Sequence, residues 1–276
     1  MTKNIDYQSL VDPVGGIVRR AGKLILDLQN ETLQIEQKSD ANYVTQIDFA
    51  VQTYVLDKLK ELTPTFAVIA EESDVNQYSL EQPTWILDPV DGTTNLMRHY
   101  HHSAVSLALA VRGILTLGFV YNPYTEELFE AVANQGARLN GQKIIVSTRS
   151  LLSDSLIGFG TTPYAREQAH STFLLLEQVF LRSLEIRRSG SAALDLAYVA
   201  CGRLDGFFEL CLQPWDYAAG GLILQEAGGH ITNWQGTAPS LRHGDSILAT
   251  NGHIHAGLHN LIERIVPSDG NNQVGV

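Results

Sequence analysis

Residues Trp85–Asn95 read WILDPVDGTTN. A strand-forming run meets two carboxylates, Asp88 and Asp91, with Pro89 between them, and then Gly92, Thr93 and Thr94. Taken alone, this is equally a strand, a turn and a helix start, because Asp-Gly favours turns, Pro stops strands and Thr-Thr can open a helix. Its meaning depends on the rest of the chain.

The chain of 276 residues is 44% hydrophobic and 18% charged, which suits a globular protein with a sizeable core and excludes disordered and fibrous classes. A net charge of -11 and a pI of about 5.2 repel nucleic acid and anionic membranes, so neither is expected as a partner. Cys201 and Cys211 lie in no metal-ligand or redox spacing. The opening MTKNIDYQSL lacks the basic and apolar regions of a signal peptide. No stretch reaches the ~18 consecutive apolar residues of a membrane span. A reduced, cytoplasmic setting is the expectation.

Outward from the motif, helical spacing of Val11, Val14, Ile17, Val18, Ala21, Leu24, Ile25 and Leu28 predicts an opening helix over 10–28, and a second fits 47–62. Short strands at 66–69 and 84–87 each run into carboxylates, Glu71 and Glu72 after the first, Asp88 and Asp91 after the second. Residues 103–146 read as an antiparallel meander with turns at Arg112-Gly113, Asn122-Pro123 and Asn140-Gly141. Beyond Ser150 the pattern alternates, with strands at 156–160, 184–187, 206–210 and 246–250 and helices at 166–184, 191–202, 215–227 and 253–265. This predicts a layered α/β protein in two parts. An α+β sub-domain over 1–150 would carry the antiparallel sheet and the main metal ligands, and an α/β sub-domain over 151–276 would complete the site. The polar tail SDGNNQVGV is expected to fray.

Magnesium takes hard oxygen ligands and is commonly shared between a few carboxylates and a substrate phosphate. Asp88 closes a predicted strand and Asp91 follows shortly after, so both can face one concave spot at a sheet's carboxyl edge. Gly92 permits close backbone approach, and a helix starting at Thr93 would aim free N–H groups at an anion. Further on, PWDYAAGG places Asp216 at the start of another predicted helix. Alone, Asp216 is an acid favoured by the helix dipole, and Glu71-Glu72 a solvated charge pair. Together with WILDPVDGTTN they point to a cation cluster beside an anion site, which is phosphate chemistry.

With AEES at Ala70–Ser73, DPVDGTTN at Asp88–Asn95, RSGSAAL at Arg188–Leu194 and ELCLQPWDYAAG at Glu209–Gly220, the sequence resembles the inositol monophosphatase family over nearly its whole length. That family lies within the lithium-sensitive, magnesium-dependent phosphatases that include fructose-1,6-bisphosphatase. The resemblance implies an alternating α/β/α/β/α sandwich, a homodimer, and hydrolysis of a phosphate monoester by a metal-activated water with two or three Mg²⁺ ions per site. Matched position by position, Glu71, Asp88 and the Val90 carbonyl correspond to the first metal's ligands, and Asp88, Asp91 and Asp216 to the second's. A third, weaker ion would lean on Glu71 and water, which gives Glu71 a catalytic part as well. Thr93, paired with Asp48 of VTQID, resembles the dyad that orients and deprotonates the attacking water. Lys38 in QKSD matches a lysine that tunes the charge of the metal site. Gly92, Thr93 and Thr94 match the phosphate-binding helix start, and Gly190, Ser191, Ala192, Glu209 and Asp216 match contacts to substrate hydroxyls. One departure is Ala70, where the family usually has Gly; it requires only that this backbone position not need φ > 0.

The resemblance makes the partner a small-molecule phosphate ester, with myo-inositol 1-phosphate as the best single substrate. Histidinol phosphate, fructose 1,6-bisphosphate, adenosine 3′,5′-bisphosphate and NADP are alternatives, and Thr94 in place of lysine argues against the nucleotides. A regulatory, non-catalytic relative is the alternative from another class; the complete set Glu71, Asp88, Asp91, Thr93 and Asp216 argues for catalysis. Other patterns carry less. His99, His101 and His102 in RHYHH suit a solvated surface or substrate rim better than a metal cage. GFGTTP at Gly158–Pro163 lacks the third glycine of a dinucleotide fingerprint, and neither a nucleophile elbow nor a P-loop occurs.

Overall fold

The apolar stripe at the amino end forms α1 (Val11–Leu28), entered through a 3₁₀ turn at Tyr7–Leu10 that the Asp6 side chain caps. These elements belong to a computed structural model that describes residues 6–39, 42–73 and 79–266; the tail expected to fray lies outside the described residues. β1 (Ile35–Ser39) and β2 (Asn42–Thr45) pair antiparallel and lead into α2 (Gln46–Leu62). No sequence pattern announces this hairpin, because IEQKS and NYVT are short, polar and without clear alternation. α2 starts where the Thr45 hydroxyl accepts from the Ile47 N–H and Asp48 reaches back to the Thr45 N–H, a reciprocal cap.

β3 (Ala67–Ala70) and β4 (Thr84–Asp91) are parallel neighbours. After the one-turn helix α3 (Thr93–Met97), the meander supplies β5 (Ala104–Val111), β6 (Ile114–Asn122), β7 (Glu127–Val132), β8 (Ala137–Leu139) and β9 (Gln142–Ile144). The result is a seven-stranded sheet in chain order, antiparallel from β4 onward. The second half contributes β10 (Leu156–Phe159), α4 (Ala169–Phe180), β11 (Glu185–Arg187), α5 (Ala192–Ala200) and β12 (Gly206–Leu212). It ends with α6 (Pro214–Glu226), β13 (His230–Thr232), β14 (Asp245–Thr250) and α7 (His255–Ile265). Its five strands lie in the order β11-β10-β12-β14-β13, parallel around β10 and antiparallel around β14.

Side-chain alternation stacks these parts as helix, sheet, helix, sheet, helix, the sandwich expected from the resemblance. Trp85, Leu87, Val105, Leu107 and Leu109 point to one side of the large sheet and pack under α1 and α2. The intervening Ile86, Ala108 and Ala110 point the other way, onto α5 and α6. Those two helices also meet Phe207, Ile247 and Ala249 of the small sheet, whose far side carries Phe208 and Leu248 against α4 and α7. A helix between two sheets has no solvent face, which explains why α6 reads as small and apolar all round. It also sits very close. A Cβ at Gly118 of β6 would come 2.8 Å from the Ala219 carbonyl oxygen, and the Ser106 hydroxyl donates to the Trp215 carbonyl at 3.1 Å.

Two expectations are corrected. The predicted helix over 166–184 begins with a 3₁₀ turn at Arg166–Gln168 and stops at Phe180, because the Leu184 N–H goes to the Ser155 carbonyl and the chain turns to pair β11 with β10. The Pro-containing turn expected after Leu87 is a bulge within β4: Asp88 faces Ser106 and Asp91 faces Ala104, so the β4 side carries one extra residue. Ala70 lies in extended β3, so the glycine it replaces is not needed for a left-handed conformation.

Candidate active site

The bulge in β4 decides where the acids go. Asp88 is 2% exposed and its Oδ1 accepts from the Val90 N–H at 2.9 Å, which holds the bulge. Asp91, past the bulge, faces α5 instead: its Oδ2 accepts from the Ser191 hydroxyl at 2.5 Å and from the Ala193 N–H at 2.8 Å. Gly92 then adopts φ 95°, and a side chain there would press on the Gly190 and His102 carbonyls. Asn95 ties the same loops, donating to the carbonyls of His102 at 2.7 Å and Ser189 at 2.9 Å.

Thr93 and Asp48 meet. The Thr93 Oγ1 lies 3.1 Å from Asp48 Oδ1 and 3.2 Å from the Val90 carbonyl oxygen. The other Asp48 oxygen is committed to Thr45, whose N–H and hydroxyl donate at 2.8 and 2.6 Å. Burial raises the Asp48 carboxyl, and those hydrogen bonds restrain the rise.

Glu71 follows β3, its N–H bonded to the Leu87 carbonyl at 3.1 Å, which sets it beside Asp88. Lys38 from β1 pairs with Glu71 at 3.5 Å and, more tightly, with Glu72. Burial alone would lower the Lys38 ammonium, but Glu71, Glu72 and Asp48 together raise it. Asp216 sits in the first turn of α6 and its Oδ2 accepts from the Gln213 N–H at 2.7 Å. Burial pushes Glu71 up to about 7 and Asp91 to about 6. It drives Asp88 and Asp216 well above the carboxylate range, with the charges of Glu71 and Asp91 adding to the rise in both.

Asp91, Asp216, Gly92, Thr93, Thr94, Gly190, Ser191 and Ala192 share a cleft of ≈ 160 Å³ that Glu209 also lines. Glu71, Asp88, Val90 and Asp48 do not line it. The sequence suggests Glu209 at a strand end; it stands inside β12, 8% exposed, immediately before a second one-residue bulge. Its Oε1 accepts from the Thr162 N–H at 3.0 Å and hydroxyl at 3.3 Å, and a Cβ on Gly160 would overlap its carboxylate. Thr162 takes φ 42° to present both donors, a conformation costly for a β-branched residue. Burial pushes Glu209 up to about 7. The GFGTTP segment, which fails as a dinucleotide motif, is therefore the cradle of Glu209. Its two glycines and Thr-Thr-Pro after an apolar strand are the signal that could have found it. Sequence reasoning also missed Asp195, Arg188 and Tyr164, which line the same cleft. Asp195 lay in plain view, an acid in an otherwise apolar helix.

Among the described residues no group of three or more Asp, Glu, His or Cys side chains is gathered closely enough to hold a metal ion as it stands. What suits a cation is the donor set. Glu71, Asp88, Asp91 and Asp216 are hard oxygen donors, buried and mutually repelling, and Lys38 is the one cation paired with any of them among the described residues. Such a set requires protons or a small divalent ion to offset its charge.

Residues 6–266 match the inositol monophosphatase family. The chain belongs to that family. An inositol-1-monophosphatase of Rhizobium meliloti is 40% identical over 256 residues, covering 91% of this chain and 95% of that protein. Nus factor SuhB of Escherichia coli K12 is 38% identical over 220 residues, 79% of this chain and 82% of its own. The crystal structure of extragenic suppressor protein suhB from Bartonella henselae superposes with a TM-score of 0.86 at 35% identity, covering 93% of this chain and 99% of the other. The inositol monophosphatase family is generally Mg-dependent, in keeping with the oxygen donors gathered here. No helix among the described residues is long and apolar enough to cross a membrane.

Proposed function

We propose that this chain is a Mg²⁺-dependent phosphomonoesterase acting on a phosphorylated polyol, with myo-inositol 1-phosphate as its best substrate. One observation carries the proposal: acids just after β3, in β4 and in α6 lie within one another's field, and Asp91, Asp216 and Thr93, the last bonded to Asp48, share a cleft with Glu209. Glu71, Asp88, the Val90 carbonyl, Asp91 and Asp216 would hold the ions. Bound there, Mg²⁺ would acidify a water and neutralise charge on the phosphate.

The chain's own residues do the rest. The Thr93 Oγ1 takes a proton from the attacking water as its own passes to Asp48 Oδ1, 3.1 Å away. Burial of Asp48 raises its affinity for that proton, which makes it a stronger base than an exposed aspartate. The N–H groups of Thr93 and Thr94, ahead of the Asn95 and Leu96 N–H groups that bond to the Gly92 carbonyl, hold phosphate oxygens, and Gly92 lets them approach. Lys38 moderates the charge of Glu71 and Glu72. Gly190, Ser191, Ala192 and Glu209 face the alcohol; the Ser191 hydroxyl is already given to Asp91, so it acts by holding that acid. A homodimer in the cytoplasm and inhibition by Li⁺ belong to the same proposal. The substrate choice is supported by the Rhizobium meliloti relative, whose name is that of an inositol-1-monophosphatase.

Phosphate release from inositol 1-phosphate tests this. Protein stripped by a chelator should be inactive and recover with Mg²⁺; full activity after exhaustive chelation would remove the metal chemistry. A second reading is favoured by the Nus factor name of the Escherichia coli relative: action through a protein partner. A net charge of -11 disfavours nucleic acid held by charge alone. Absence of turnover on every phosphate ester, with Mg²⁺ present and a folded chain, would favour that second reading.

A further inference from the structure

The cleft has a second buried carboxylate that the metal chemistry does not use. Asp195 of α5 is 2% exposed and lines the cleft together with Glu209. Its Oδ2 accepts from the Ser189 hydroxyl at 2.6 Å, while no hydrogen bond among the described residues uses Oδ1. That oxygen is not among the buried polar atoms left without a partner, so on a residue that lines the cleft it is an acceptor open to an incoming hydroxyl. Burial pushes the Asp195 carboxyl well above the carboxylate range, and the charges of Asp91 and Glu209 add to it. Arg188, also on the wall, is exposed and forms no ion pair within 4.0 Å with any of these acids among the described residues. Hydroxyl donors arriving in the cleft favour the ionised form of Asp195 and Glu209 against the effect of burial, and in that form the two carboxylates accept hydrogen bonds and cannot donate them. They suit a group rich in O–H donors and repel a second anion.

We propose that Asp195 is a specificity-determining residue, its free oxygen accepting a hydroxyl of the substrate's alcohol, so that the cleft selects uncharged, polyhydroxylated alcohols over esters bearing a second phosphate. This rests on the phosphatase reading above. Glu209 and Asp195 then take two different hydroxyls of one ring, which a single carboxylate could not orient. A purely structural role, holding Ser189 and the loop to Gly190, is the rival, and Asp195→Asn separates the two. Asparagine keeps an acceptor for Ser189 and the same shape, but loses the charge that strengthens a hydroxyl's hydrogen bond.

The experiment compares kcat and KM of the full chain and D195N, with Mg²⁺, on inositol 1-phosphate and on p-nitrophenyl phosphate, which has no ring hydroxyls. Thermal unfolding of both chains is recorded alongside, with Asp195→Ser as the second variant if the amide does not fold. The expected result is a loss in kcat/KM on inositol 1-phosphate about tenfold greater than on the aryl ester, carried mainly by KM. Relative turnover of fructose 1,6-bisphosphate should rise. Equal losses on both monoesters, or none on either, would overturn the inference. Should the parent chain hydrolyse neither ester, the phosphatase reading itself falls. Calorimetric binding of inositol 1-phosphate then decides the polyol contact alone, and equal affinity of parent and D195N would overturn it.

Discussion

Glu209→Gln is the most informative single change, because the carboxyl it replaces is both buried and held by donors. Burial lifts this group to about 7, against an ordinary 4.5. Between those values the folded chain keeps a proton that the unfolded chain has released. The contribution to stability is therefore complete below the unfolded pKa and lost as pH rises through the folded one. The gap corresponds to about 3 kcal/mol at pH 8. Glutamine is neutral at every pH, matches the shape, and its Oε1 can still accept from the Thr162 N–H that now donates at 3.0 Å. E209Q should thus equal the parent near pH 4 and exceed it at pH 8 by up to about 3 kcal/mol, which for a chain of this length is a rise of roughly 5–10 °C in Tm. Thermal unfolding in a chelating buffer, followed across pH 4 to 8 for both chains, gives the comparison free of bound cation. Parallel pH profiles would refute the reasoning, since they would mean that burial costs the Glu209 charge nothing.

Asp91→Asn keeps size and bulge preference and can still accept from the Ala193 N–H, so the fold should survive and, in chelating buffer at pH 8, Tm should rise for the reason given for Glu209, because burial lifts Asp91 to about 6, while turnover with Mg²⁺ falls by orders of magnitude. Turnover near that of the parent would leave Asp91 as a bulge former only. Gly118→Ala introduces a Cβ 2.8 Å from the Ala219 carbonyl oxygen, and α6 must give way. Overpacking of this kind costs about 1–3 kcal/mol. Because Asp216 rides on α6, turnover should drop with it; an unchanged Tm would show that the two layers are looser than the geometry indicates.

By itself the sequence determined the elements whose causes are local. α1 and α2 follow from apolar spacing along their own turns, and the meander from turn residues such as Arg112-Gly113 and Asn140-Gly141. WILDPVDGTTN stood out for the same reason, since carboxylates at the end of an apolar strand are costly wherever they are buried. The short polar hairpin of β1 and β2 left no such trace. Only the tertiary structure decided that DPVD is a bulge, because the extra residue exists only relative to β5 opposite it. It also decided which acids face which partners. The Asp91–Ser191 hydrogen bond joins residues 100 apart in the chain, and the Glu209–Thr162 bond residues 47 apart. GFGTTP and Asp195 acquire their significance the same way. Local pattern reports what a segment prefers, whereas the partner of a buried polar group is set by which layers pack together, and that is a property of the whole chain.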